Sequence, residues 1–316
     1  MITRPSRVEG TDLSKPVVTI GLCVKNCEKT IKDTIRSIIA QDYPHELIEI
    51  IVVDGCSRDR TVRIIKKMLR TSDINTRIFF EDKGLGLARQ IVVNNSKGEF
   101  IIWVDGDMIL TKDFVKKQVE YMEQNPHVGI VKGRYGFTKE SSLVAFLENL
   151  DFLTAFDEVK DFLLASLGAS GSIYRVNTIK QIGGFDENIT GAGEDTDVEY
   201  RIRAAGWKLC IGPAIFYERR RKTWKALWEE YFWHGKGGFQ LYKKNANIIV
   251  TWKIFPLTLL FKKFIQVKRA YKMTHYKGVF MLPVHYIFKR IAWFFGFLTE
   301  YVKWYLNKIT KSKPLP

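Results

Sequence analysis

Phe100-Ile101-Ile102-Trp103-Val104-Asp105-Gly106-Asp107 (FIIWVDGD) decides the architecture of this chain. Five apolar residues, β-branched or aromatic, run without a charge and stop at an acidic turn. A run that short reads as a strand buried on both faces, which occurs in parallel sheets covered by helices. In such sheets ligands bind at the carboxyl ends of the strands. Asp105 and Asp107 therefore stand at the edge where chemistry is expected.

Working outward, the same texture repeats. Val17–Val24 and Ile48–Val53 read as further buried strands. Between them Ile31, Ile35, Ile38 and Ile39 fall on one face of a helix. A helix over Thr61–Leu69, a strand over Arg77–Phe80 and a helix over Leu85–Asn95 precede the opening stretch. This alternation predicts an α/β fold: a mostly parallel, Rossmann-like sheet with right-handed crossovers, flanked by helices.

Strand ends gather acids. Ile50–Val53 leads into Asp54, as Ile101–Val104 leads into Asp105 and Asp107. Paired carboxylates suit a hard cation, Mg²⁺ or Mn²⁺, bridging a diphosphate. Gly106 is expected to let the backbone turn tightly there. Farther on, Glu194 and Asp195 sit in GAGEDTD before a helix that includes Val198, Ile202 and Ala205. After Gly191 and Gly193, Asp195 reads as a carboxylate on a mobile loop, suited to act as general base, whereas Asp197 reads as a helix-start acid that caps or complements the dipole. Lys83, Gly84 and Gly86, with Arg89 one turn on, combine flexible backbone with cations that suit a diphosphate at a helix start. Arg219–Arg221, with Lys222 and Trp224, supply a second cationic run for a leaving diphosphate or an acceptor phosphate.

The chain has 316 residues, 46% hydrophobic, and a net charge of +16. That charge is unevenly placed: residues 219–316 carry 21 Lys and Arg against three acids, while residues 1–218 are close to neutral. The last third therefore faces something anionic: phospholipid, lipid-linked phosphate or nucleic acid. It is rich in aromatics, and Ile291, Phe294, Phe295, Leu298, Val302 and Tyr305 line one helical face, the pattern of a helix lying in a membrane interface. The apolar runs Val279–Phe288 and Ile291–Leu298 both fall short of the ~20 residues a spanning helix needs. The polar start, Met1 to Lys15, predicts no cleavable signal. Cys23, Cys27, Cys56 and Cys210 lack zinc-site spacing and read as reduced thiols. The expected division is a tail over 1–16, a catalytic domain over 17–218 and a basic, amphipathic helical region over 219–316, at the cytoplasmic face of a membrane, peripheral or monotopic.

With these residues placed, the chain resembles a family 2 glycosyltransferase of the GT-A fold over about Val17–Gly237. The motifs VKNCEKTI (Val24–Ile31), VVDGCSRDRT (Val52–Thr61), KGLGLARQ (Lys83–Gln90), VDGD (Val104–Asp107), GGFDE (Gly183–Glu187) and GEDTDVEYRIRAAGW (Gly193–Trp207) occur in that family's order. The resemblance implies that Cys23, Val24, Lys25 and Asn26 border the nucleotide and that Asp54 reads the base. Lys83 and Arg89 would lie near base and ribose, Asp105 on the ribose side, and Asp107 on the metal. Asp195 would be the catalytic base, with Glu194 beside it in the acceptor pocket. The implied reaction is an inverting transfer from a nucleotide-diphosphate sugar, a UDP-sugar or GDP-mannose.

The chain departs from the family pattern at Lys25, Cys27 and Gly55, and Glu218 stands where relatives often carry a His, which makes it a candidate metal ligand. The QxxRW of processive enzymes is absent, so transfer of one sugar is expected, with a polyprenyl phosphate or lipid-linked glycan as acceptor. A soluble polysaccharide acceptor is the alternative. A nucleotidyltransferase would carry a Gly-rich cradle after the first strand, where Val24-Lys25-Asn26-Cys27 stands instead. A non-enzymatic basic protein binding lipid or nucleic acid leaves the strand-end acids unexplained, and no nucleic-acid partner is expected.

Overall fold

A computed structural model describes residues 17–138, 142–157, 166–248 and 260–311; the expected tail over 1–16 lies outside the described residues. The first half alternates as expected: β1 (Val18–Val24), α1 (Ile31–Ile39), β2 (Ile48–Asp54), α2 (Thr61–Leu69), β3 (Asn75–Phe80), α3 (Leu85–Asn95) and β4 (Phe100–Asp105). β1, β2 and the apolar residues of β4 are buried throughout, because helices cover both faces. Ile31, Ile35 and Ile38 of α1 pack into the core formed by Ile20, Leu22, Ile50 and Val104. On the other face α3 presses Ala88, Val92 and Val93 against Ile51, Val53 and Trp103.

The sheet has eight strands in the order β3-β2-β1-β4-β7-β6-β8-β5. Strands β1 to β4 pair parallel to one another. The second half is mixed. β5 (Met108–Leu110) runs antiparallel to β8 (Lys208–Glu218), and β7 (Ser172–Arg175) runs antiparallel to both β4 and β6 (Val128–Tyr135). Helices α4 (Phe114–Gln124), α5 (Leu143–Asp157), α6 (Val176–Gln181) and α7 (Glu194–Ala204) complete this half. The topology carries Asp54, Asp105 and Glu218 to the ends of β2, β4 and β8.

The last third is helical: α8 (Trp224–Lys244), α9 (Leu260–Thr274) and α10 (Leu282–Lys311). α10 lies along α8 at a crossing only glycine allows. A Cβ on Gly235 would stand 1.9 Å from the carbonyl oxygen of Trp293, and one on Gly296 2.0 Å from that of Phe232. α9 and α10 also pack on the sheet domain through a buried polar cluster. Glu148 and Asp151 of α5 meet Lys289 of α10 at 2.6 and 2.7 Å, Asp151 also pairs with Lys263 of α9, and His285 stands 3.1 Å from Glu148.

The face expected to lie in a membrane is partly open. Phe295, Leu298, Val302 and Tyr305 are exposed, while Ile291 and Phe294 are half-buried. Trp293 and Phe297, on the other side of α10, stack within the helical layer. Phe264, Ile265, Phe280 and Val284 add a second exposed apolar group, each more than half exposed. Among the described residues, no helix is long and apolar enough to cross a membrane.

Candidate active site

The strand ends open on one cleft of about 1330 Å³, lined among others by Cys23, Val24, Asn26, Arg89, Asp105, Asp107, Glu194, Asp195, Glu218 and Arg221. The loop after β1 is pinned to the loop after β2. Asn26, left-handed at φ 51°, receives the Arg58 N–H on its Oδ1 at 2.9 Å and donates its own N–H to Ser57 Oγ at 2.8 Å. Asp54 organises this pin from beneath. It is fully buried, and its carboxylate accepts the Ser57 N–H at 2.7 Å and the Ser57 hydroxyl at 2.6 Å. Asp54 does not line the cleft, and neither do Lys83 and Gly84. Lys83 is exposed. Gly84 has φ 131° and lies against the carbonyl of Thr190, so its glycine answers a backbone approach.

Asp105 and Asp107 bracket Gly106 at the cleft floor. The tight turn expected of Gly106 is not what requires it: its φ is not positive, and an added Cβ would meet Cys27 Sγ at 2.6 Å. The glycine lets the acidic turn pack against the start of α1. Asp105 accepts a hydrogen bond from the Ser170 hydroxyl, and Lys132 donates to the Ser170 carbonyl. Burial, then the neighbouring carboxylates of Glu218 and Asp105, push the Asp107 carboxyl up to about 7. Oxygen donors so crowded that one resists ionisation fit a divalent cation, which would relieve the repulsion. Glu218 already shares its charge with Arg220 at 2.9 Å.

Across the cleft, Arg89 inserts between aromatic and acidic groups. It packs 5.5 Å from the Trp103 ring and 5.9 Å from that of Phe185. Its guanidinium meets Glu194 at 2.5 Å and Asp195 at 3.9 Å. Glu194 is 2% exposed, and its pairing with Arg89 ties α7 to α3 at the edge of the cleft. Burial pushes it up to about 8 against the pull of Arg89, with Asp195 adding repulsion. Asp195 is held in place by the fold: it accepts the Ala169 N–H at 3.1 Å and the Thr196 N–H at 2.6 Å. Burial works against its ionisation, and Arg89 with these two N–H groups outweighs it, leaving the carboxyl below its ordinary range.

Asp197 does not cap α7. It is buried and pairs with Arg201 at 2.5 Å and Lys244 at 2.9 Å, tying α7 to α8. Several cleft residues lie outside the motifs: Lys132 and Ser170 come from β6 and the turn before β7, and Trp233, His234, Arg290 and Trp293 come from α8 and α10. Glu199, within the GEDTDVEYRIRAAGW stretch, also lines the cleft from α7. Glu199 accepts the Leu167 and Gly168 N–H groups at 2.9 and 2.7 Å and so shapes the turn on which Asp195 leans. Arg219 pairs with Asp33, and Arg221 with Glu230 at 3.3 Å. A second acidic group, Glu148, Asp151 and His285, has metal-like spacing. Two lysine ammonium groups already sit on its carboxylates, so a cation there would have to displace them.

A parallel α/β half-sheet with a strand-end Asp-x-Asp facing a helix-borne carboxylate is the layout of a GT-A glycosyltransferase. The Glycosyl transferase family 2 model matches residues 19–183, and the chain belongs to that family. Among curated relatives, the poly-beta-1,6-N-acetyl-D-glucosamine synthase of Staphylococcus aureus is 21% identical over 83% of this chain. The chain spans 64% of that relative's length. The Staphylococcus epidermidis synthase is 20% identical over 92% of this chain and 72% of its own length. Among solved structures, a mannosyltransferase from Pyrobaculum calidifontis in complex with GDP-Man and Mn²⁺ superposes with a TM-score of 0.63 at 18% identity, covering 90% of this chain and 87% of its own. TarS 1–349 of S. aureus in complex with UDP gives 0.51 at 16% identity, covering 90% and 91%. These likenesses establish the GT-A fold.

Proposed function

We propose that this chain is an inverting glycosyltransferase that moves one sugar from a nucleotide-diphosphate sugar to a lipid-linked acceptor at a membrane surface. The observation that carries the reading is the convergence of Asp105, Asp107, Glu218 and Asp195 on one cleft. Asn26 and the backbone of Cys23 and Val24 border the nucleotide in this reading, with Arg89 supporting the ribose side. Asp54 acts by holding the Ser57 loop against Asn26. Asp107 and Asp105, with Glu218 alongside, would hold Mg²⁺ or Mn²⁺, which when bound offsets the charge building on the departing diphosphate. Arg221, in the same cleft and paired with Glu230, would meet the same diphosphate.

The acceptor oxygen attacks the anomeric carbon on the face opposite the diphosphate. The new glycosidic bond forms as the bond to the diphosphate breaks, and the configuration inverts. Asp195 stays ionised at neutral pH and takes the proton of an acceptor hydroxyl. General-base assistance of this kind contributes about 10²–10⁴-fold. A phosphate acceptor is already ionised, and Asp195 then only positions it. Asp195→Asn separates the two: a loss of at least a hundredfold in turnover with unchanged donor binding supports the base, whereas near-normal turnover assigns positioning alone.

Thermal shift with UDP or GDP plus Mn²⁺ tests the donor site. Stabilisation is expected, and it should vanish with chelator or in Asp107→Ala. No response to any nucleotide would remove the reading. Support for a membrane setting comes from the exposed Phe264, Ile265, Phe280 and Val284 beside a strongly cationic helical layer.

A further inference from the structure

One side of α8 is fastened to the loop that leads into Asp195. A Cβ on Gly191 would lie 3.6 Å from Trp233 Nε1, one on Gly237 2.0 Å from the carbonyl oxygen of Ala192, and one on Gly193 2.8 Å from the Leu241 side chain. Trp233, Gly237 and Leu241 fall four residues apart and so share one face of the helix. His234 is the next residue along, and Trp233, His234 and Asp195 all line the same cleft.

Both side chains are open to a ligand. Trp233 is 40% exposed, and His234 is exposed beside it, the two rings T-shaped with centroids 5.2 Å apart. Among the described residues, neither nitrogen of the His234 imidazole nor the Trp233 indole N–H is hydrogen-bonded. Enclosure by the surrounding protein lowers the His234 pKa, against the opposing pull of Asp195. The imidazole is therefore neutral at pH 7, with one nitrogen donating and the other accepting. Such a ring pairs with a hydroxyl, which both gives and takes a hydrogen bond, better than with a phosphate dianion, which only takes one. A rigid indole face beside a hydrogen-bonding edge matches a pyranose, whose C–H face is apolar and whose hydroxyls ring its rim.

Resting on the donor reading above, we propose that Trp233 and His234 seat the acceptor and that its reacting end is a sugar ring. The ring stacks on the Trp233 indole and hydrogen-bonds His234, with its attacking hydroxyl turned to Asp195. This selects a hydroxyl acceptor over a bare phosphate. The hydroxyl oxygen bonds to the anomeric carbon as the diphosphate leaves with the bonding electron pair, and the hydroxyl proton passes to Asp195.

Saturation-transfer NMR of the full chain, with and without UDP or GDP and Mg²⁺, tests this. The probes are the methyl glycosides of glucose, galactose, mannose and N-acetylglucosamine, with geranyl phosphate as comparator. At least one glycoside should receive saturation on its ring C–H protons. Trp233→Ala should cut that signal at least fivefold, Trp233→Phe should restore at least half of it by returning a ring face, and His234→Ala should weaken the same glycoside at least threefold. Nucleotide affinity, read by isothermal titration, should stay within twofold in all three variants. The proposal is overturned if no glycoside gives a signal that depends on Trp233, or if geranyl phosphate alone binds in a way that His234→Ala abolishes. It is also overturned if Trp233→Ala weakens UDP-glucose or GDP-mannose relative to UDP or GDP, since the indole then holds the donor sugar. A chain that binds glycoside through Trp233 but no nucleotide would sink the donor reading and leave the acceptor seat standing.

Discussion

Arg89 carries more of the site than its place in a Gly-rich stretch indicates. It is buried, clamped between two aromatic rings, and neutralises Glu194 while leaning towards Asp195. Arg89→Gln would strand Glu194 in a low-dielectric pocket, and breaking a buried pair costs about 3–5 kcal/mol. Urea unfolding should show a loss of that order, and Glu194→Gln should be destabilising too, because it leaves the buried Arg89 guanidinium with only Asp195 at 3.9 Å to face it. Gly106→Ala forces a methyl onto Cys27 Sγ, and overpacking of this kind costs about 1–3 kcal/mol. The expected result is weaker nucleotide binding, partly restored by Cys27→Ala in the same chain; no rescue would mean that Cys27 is not the obstacle. Asp105 and Asp107 were legible in the sequence because strand, turn and acids are contiguous. Ser170, Lys132 and Arg290 were not, since strands and helices far along the chain bring them to the cleft and no local pattern marks them.

At the scale of elements, the parallel half of the sheet was legible within a residue or two, because each strand there is a short run rich in β-branched or aromatic residues, with Glu49 and Arg77 the only interior charges. The mixed half was not: β5 and β7 have three and four residues, too few to show a period. The final helices were legible as amphipathic but not as partners of α5, which depends on buried ions. His285 in that layer has a definite acid response. Burial, then the Lys289 charge, lower its pKa to about 4, with Glu148 and Asp151 pulling the other way and Lys263 adding to the lowering. The unfolded chain takes up this proton near pH 6.5, so the stabilisation is present above that pH and drains away as pH falls towards 4. Between pH 7 and 5 the contribution lost is about 2 kcal/mol at 1.36 kcal/mol per unit. His285→Gln should flatten that part of the stability–pH curve, and an unchanged slope would exonerate His285. The α8–α10 crossing is equally testable. Gly296→Ala drives a methyl into a backbone carbonyl and should cost about 1–3 kcal/mol in chemical denaturation.

For the whole molecule, charge is the long-range signal: the first two-thirds, bearing the acids, are near neutral and the helical layer is strongly cationic. Anionic vesicles should therefore recruit the intact chain, less so as salt screens the attraction. Phe264→Ser with Phe280→Ser should weaken sedimentation at least tenfold without changing the melting temperature, since both rings are already in water. Unchanged recruitment would move the contact elsewhere. The helical layer also bears on the chemistry. Gly193, the left-handed residue ahead of α7, lies against Leu241 of α8, and Gly237 of α8 lies against the carbonyl of Ala192. The first touch is made by the Leu241 side chain and the second by backbone on backbone, so the two parts interlock. A tilt of α8 would therefore press on the peptide that precedes Glu194 and Asp195.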